Sequence, residues 1–181
     1  LLNQAQLGLS AFHLGFTCLD AITSRVALGI RQVAAGDVVR GATIIAGSPG
    51  AALTNILHGD QMIRLYRSAA PSSWERNPLV EALIRSGGVT SMDRHWRPGY
   101  VEAWLHACRT GDIPAAASKL LPALLDATTR PVMEYIVPRQ KLGVWLDLAR
   151  WEMERNPGKS IAELTPALQD AWRSVDNRMG Q

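Results

Sequence analysis

Cysteine is nearly absent from the 181-residue chain. Cys18 and Cys108 are the two thiols, which excludes a disulfide framework and makes a reducing compartment the default expectation. Charge is scarce as well. Asp, Glu, Lys and Arg make up 19% of residues, against about 25% in ordinary soluble domains. With a mean hydropathy of −0.02, that deficit points to more buried or partner-facing surface than a free monomer needs. Phenylalanine and tyrosine are also few, so six of the eleven aromatics are tryptophan: Trp74, Trp96, Trp104, Trp145, Trp151 and Trp172. Tryptophan anchors interfaces, although partial burial in a core is its commoner role.

The constellations that carry chemistry are missing too. His13, His58, His95 and His106 include no pair at the i, i+4 spacing of a helical zinc site, and His106-Ala107-Cys108 has no second pair to complete it. There is no Gly-x-Ser-x-Gly elbow. Gly47-Ser48-Pro49-Gly50 lacks the lysine and spacing of a phosphate-cradling loop, and Glu152 and Glu154, two apart on a helix, diverge. Both thiols fall on or near apolar helix faces, where cysteines are commonly buried and inert. The sequence therefore identifies no catalytic residue, cofactor, metal or small-molecule substrate. A membrane-spanning helix needs about 20 predominantly apolar residues. The uncharged stretch 1–19 holds Asn3, Gln4, Gln6, Ser10 and His13, and the stretch 41–57 is broken by glycine and proline.

What is present is helical periodicity. Leu2, Ala5, Leu9, Phe12, Phe16, Leu19, Thr23, Val26, Ile30 and Val33 alternate steps of three and four, a heptad-like seam on one helix of about thirty residues within 1–36. A second column, Leu7, Leu14, Ala21 and Leu28, widens the apolar face. A third, Gly8, Gly15, Ile22 and Gly29, places glycines where another helix backbone has room to come close, with Ile22 interrupting the groove.

Beyond Asp37, start and stop signals recur. Ser48-Pro49 opens a helix carrying Ala52, Ile56, Met62, Ile63 and Tyr66. Asn77-Pro78 opens a short one with Leu79, Val80, Leu83 and Ile84 on one face, closed by Gly87-Gly88. Pro98-Gly99 precedes a helix ending at Gly111. Asp112 caps the next, with Leu120, Leu121, Leu124 and Leu125 expected inward and Pro122 as an interruption. Arg130-Pro131 begins a stretch with Val132, Ile136, Leu142, Trp145, Leu146, Ala149 and Met153 on one face and a bend at Pro138. Ser160 and Glu163 form a capping-box pattern, with Thr165-Pro166 as an alternative start for the last helix. Thr43-Ile44-Ile45, the best strand candidate, is too short to carry a sheet. The expected fold is all-α, roughly seven to nine helices with short Pro/Gly-marked connections. It comprises a long amphipathic helix over 1–36 and a helical array over 37–181, with extended and bundled arrangements both open.

The most function-like stretch is Ser91-Met-Asp-Arg-His-Trp-Arg-Pro98, which brings Arg94, His95, Trp96 and Arg97 into one inter-helix loop. Arginine beside an aromatic binds phosphate or stacks on a base. The competing reading pins the loop through an Asp93–arginine pair with Trp96 in the core. The net charge of +3 and a pI near 9.2 permit nucleic acid as a partner, but the basic residues are spread rather than clustered.

Pro131-Val-Met-Glu-Tyr-Ile-Val-Pro-Arg-Gln-Lys-Leu-Gly143, Ala171-Trp-Arg-Ser-Val-Asp-Asn-Arg-Met-Gly-Gln181 and Ser86-Gly-Gly-Val-Thr-Ser-Met-Asp93 resemble helical regions of the large polyvalent proteins of bacteriophages and conjugative elements. The resemblance carries no catalytic residue. It implies a non-enzymatic helical module of a longer chain, located in the bacterial cytoplasm or associated with the virion and delivered with incoming DNA. A start at Leu1 and a helical pattern still running at Val175 and Met179 give the same expectation of a segment. A structural or interaction module with protein partners is the leading expectation. A nucleic-acid-contacting module and a membrane-associating module of a DNA-delivery apparatus are the alternatives.

Overall fold

Local capping chemistry decides where most helices begin. In the computed structural model, which describes residues 11–69, 74–89 and 100–179, eight α-helices are bounded and no strand occurs among the described residues. They are α1 (Ala11–Ala34), α2 (Val38–Ala46), α3 (Ala51–Ser68), α4 (Pro78–Ser86), α5 (Tyr100–Thr110), α6 (Ile113–Arg130), α7 (Val137–Arg155) and α8 (Ile161–Arg178). The chain is all-α.

Asn77 accepts hydrogen bonds from the Leu79 and Val80 amides, and α4 stops at Gly87, whose φ of 84° suits a residue without a Cβ. The Asp112 carboxylate accepts from the Ala115 amide at 3.1 Å. Ser160 and Glu163 complete a reciprocal capping box, so α8 starts there and runs through Pro166 rather than beginning at it. That hydrogen bond from Ser160 also holds the Glu163 carboxyl below its usual range. Ser48 departs from its expected capping role. Ser48–Gly50 form a 3₁₀ turn closed by backbone hydrogen bonds, Ser48 is buried, and α3 begins at Ala51 with no side-chain cap. Thr43-Ile44-Ile45 lies within α2.

Between α6 and α7, Pro131–Ile136 form a π-helical segment. Pro138, in the first turn of α7, has no amide to return to the carbonyl four residues back, and the widened turn precedes it. The bend expected at Pro138 is thus a change of helix type. Pro122 lies inside α6, which continues through it.

One apolar core is shared by α1, α3, α4, α7 and α8. At its centre, Trp145 of α7 and Trp172 of α8 meet edge to face, with ring centroids 6.1 Å apart at 73°. The Trp145 indole N–H donates to the Leu168 carbonyl at 3.4 Å. Lys141, buried on α7, donates to Asp176 of α8 at 2.8 Å. Among the described residues, none of α5 or α6 belongs to this core, and these two helices contact chiefly each other and the π segment. Leu120, Leu121 and Leu124 of α6, expected inward, are exposed. Small Ala107 and Ala123 are the buried apolar residues among the described side chains of that hairpin, which do not include Leu125.

The tightest contact joins α3 and α7. A Cβ on Gly59 would run into the backbone of Arg139, and a Cβ on Gly143 would lie 2.5 Å from the Asn55 Cα. The two contacts are reciprocal and four residues apart on each helix, so the helices cross antiparallel along their i, i+4 ridges. Asp60, next to Gly59, ties the crossing with charge. It accepts from Arg64 at 2.7 Å on its own helix and from Arg139 at 3.1 Å across it. The Arg64 hydrogen bond is the larger cause that holds the Asp60 carboxyl below its ordinary range.

Candidate functional site

Helix α1 decides which surface this chain offers. Its core-facing side is Thr17, Ala21, Ser24 and Leu28, all buried. Ala21 and Leu28 belong to the second sequence column, whose Leu14 is exposed, and the small polar Thr17 and Ser24 fill the positions between. Thr17 is accommodated because its hydroxyl donates to the Leu14 carbonyl at 2.9 Å. The heptad-like seam lies on the other side of the helix. Phe16 is 49% exposed, Leu19 60% and Ile30 56%, with Thr23 also exposed among them. Small residues let α1 approach α3 and α7 closely, so the bulky row is left outside.

The three glycines named from the sequence have different surroundings. Gly8 lies outside the described residues. At Gly15 a Cβ would meet nothing within 4 Å among the described residues. Gly29 lies against α2, where a Cβ would come within 2.5 Å of the Ile45 side chain and 2.8 Å of the Gly41 carbonyl oxygen. Gly41 faces Gly29 in return, closing an α1–α2 hairpin through Gly36, whose φ is 98°.

The loop candidates Arg94, His95, Trp96 and Arg97 also lie outside the described residues. Neither thiol has the buried setting expected of it: Cys108 is exposed, and Cys18 is half-buried beside the Gln140 amide, 3.8 Å from its Sγ. His58 stands 3.4 Å from the Asp147 carboxylate, and His106 is exposed. Among the described residues no three His, Cys, Asp or Glu side chains group as metal ligands, and no helix is long and apolar enough to cross a membrane.

Asp20, on the α1 flank towards α8, is the most perturbed acid of this region. Burial pushes its carboxyl above the usual range, only partly offset by Arg178 at 3.8 Å, and its Oδ2 is buried without a hydrogen-bond partner. An acid raised on folding stabilises the fold at pH below its unfolded value and loses that contribution as pH rises through the folded one. Asp20→Asn should therefore raise the denaturation midpoint at neutral pH. That gain should vanish at about pH 3, where the native carboxyl is already protonated. Urea melts at the two pH values check this.

No protein family, curated protein or solved structure matches this chain.

Proposed function

We propose that this chain is a non-catalytic helical interaction module, and that the exposed α1 face pairs with the same face of a second copy. The observation that carries the reading is the exposed row Phe16, Leu19, Thr23 and Ile30, with half-buried Val26 completing its spacing of alternating threes and fours. That spacing is the seam of a two-helix coiled coil, in which identical rows interlock. The flanks favour close approach. Ala27 and Ala34 border one side, both exposed, and open Gly15 borders the other. The row itself carries no charge to set against its copy. Exposed leucines on α6 offer a separate apolar surface for protein contact. The resemblance to large polyvalent proteins of phages and conjugative elements fits such a module, since these chains join enzymatic and non-enzymatic parts.

Light-scattering mass across a concentration series tests the pairing. The wild-type chain should approach twice its 19.7 kDa mass. Leu19→Asp and Ile30→Asp should each stay at the single-chain mass with unchanged helical circular dichroism. A wild-type chain that remains single at high concentration, or aspartate variants that still pair, contradicts the proposal.

A further inference from the structure

A groove of about 450 Å³ opens between α1, α2, α3 and α7, on a different side of α1 from the exposed seam. Its charged wall is unevenly paired. Arg40 of α2 is held by Glu154 of α7 at 2.5 Å, and His58 of α3 faces Asp147 of α7 at 3.4 Å. Arg25 of α1 and Arg150 of α7 line the same groove, both half-buried, and neither has an ion pair or hydrogen bond among the described residues. The groove's two carboxylates are directed at other cations, Glu154 at Arg40 and Asp147 at His58, which leaves Arg25 and Arg150 open to an anion from outside the chain. Leu28, Ile44 and Trp151 supply an apolar wall beside them. Trp151 is itself flanked by Arg155 at 5.1 Å and Arg31 at 5.9 Å, which adds positive charge at the rim.

We infer that this groove binds a small phosphate monoester, its phosphate held between Arg25 and Arg150 and its organic group laid on the Leu28–Ile44–Trp151 wall. Two guanidiniums match a phosphate dianion in charge, and their planar forks match its oxygens. The groove exceeds the size of phosphate alone and lies in the range of small-ligand pockets, about 300–1,000 Å³. This site is independent of the α1 pairing.

The test is titration of the whole chain with inorganic phosphate and, separately, with adenosine monophosphate. It is followed by calorimetry and by NMR of the arginine Nε–Hε groups. Saturable binding is expected, with the Arg25 and Arg150 signals moving most and the monoester binding at least ten-fold tighter than phosphate. Arg25→Gln with Arg150→Gln should weaken the monoester at least ten-fold. Arg150→Lys, which keeps the charge and loses the fork, should fall between. Leu19→Asp should bind as wild type. Absence of saturable binding, or arginine signals that move elsewhere in the chain instead, overturns the site. So does equal affinity for phosphate and monoester, which removes the role of the apolar wall. The wild-type NMR arm stands even if the double variant fails to fold.

Discussion

Gly143→Ala is expected to destabilise the chain by about 3 kcal/mol or more, the upper range for overpacking. The added methyl would lie 2.5 Å from the Asn55 Cα and 2.6 Å from its carbonyl carbon. Backbone in the middle of a helix cannot rotate aside as a side-chain end can, so α3 and α7 would have to separate. The core that both helices line, from Met62 and Ile63 to Leu142 and Trp145, would open with them. Gly59→Ala should act in the same way against Arg139, and the pair together should cost less than the sum because both disrupt one crossing. Gly15→Ala is the control. It meets open space, so relief of the helix-interior glycine penalty should make it neutral or stabilising by up to about 1 kcal/mol. Urea denaturation of the three variants at low protein concentration reads all these values.

Trp145→Ala should cost about 3–5 kcal/mol, the range for removing a large aromatic from a core. Trp145 is fully buried, packs edge to face on Trp172 and donates its indole N–H to the Leu168 carbonyl. Truncation therefore leaves a cavity, an unmatched ring face and an unpaired acceptor at the α7–α8 junction. Trp145→Phe should recover most of the packing while still losing the hydrogen bond. A smaller loss for alanine than for phenylalanine would contradict this account. Calorimetric unfolding temperatures of the two variants make the comparison.

Features written in short-range chemistry were legible in the sequence. Asn77, Asp112 and the Ser160–Glu163 box each satisfy amides within three residues of themselves, so their helix starts follow from local spacing. The inward face of α8 was legible because Leu164, Leu168, Trp172 and Val175 form one apolar row opposite a polar side. Helix α7 keeps its apolar row Leu142, Trp145, Leu146 and Ala149 but is buried nearly all round from Val137 to Leu146, polar Gln140 and Lys141 included. The inward face of α1 was not legible, because that helix has two apolar rows. Periodicity places Leu14, Ala21 and Leu28 on one side and Phe16, Leu19 and Ile30 on another, but does not say which meets the core. Close packing against α3 and α7 took up the side of Thr17, Ala21, Ser24 and Leu28 and left Leu14 exposed. The leucines of α6 stayed outside for a related reason, since that helix packs on α5 and the π segment rather than on the shared core. The Gly59–Gly143 crossing joins residues far apart in the chain. Its local signal was an isolated glycine in the interior of each helix, one between His58 and Asp60 and the other between Leu142 and Val144. The Arg25–Arg150 groove left no motif, because four helices bring its residues together.

The claim that matters most for function is that the outward α1 row is a pairing surface. Methyl NMR with a soluble nitroxide, recorded at rising chain concentration, reads that row directly. Leu53 and Leu57, exposed on the far side of α3, serve as an internal reference that should be bleached throughout. The pairing account predicts that the Leu19 and Ile30 methyls are bleached as strongly as the reference at low concentration and become protected as copies meet. Equal bleaching of all four residues at every concentration would contradict it.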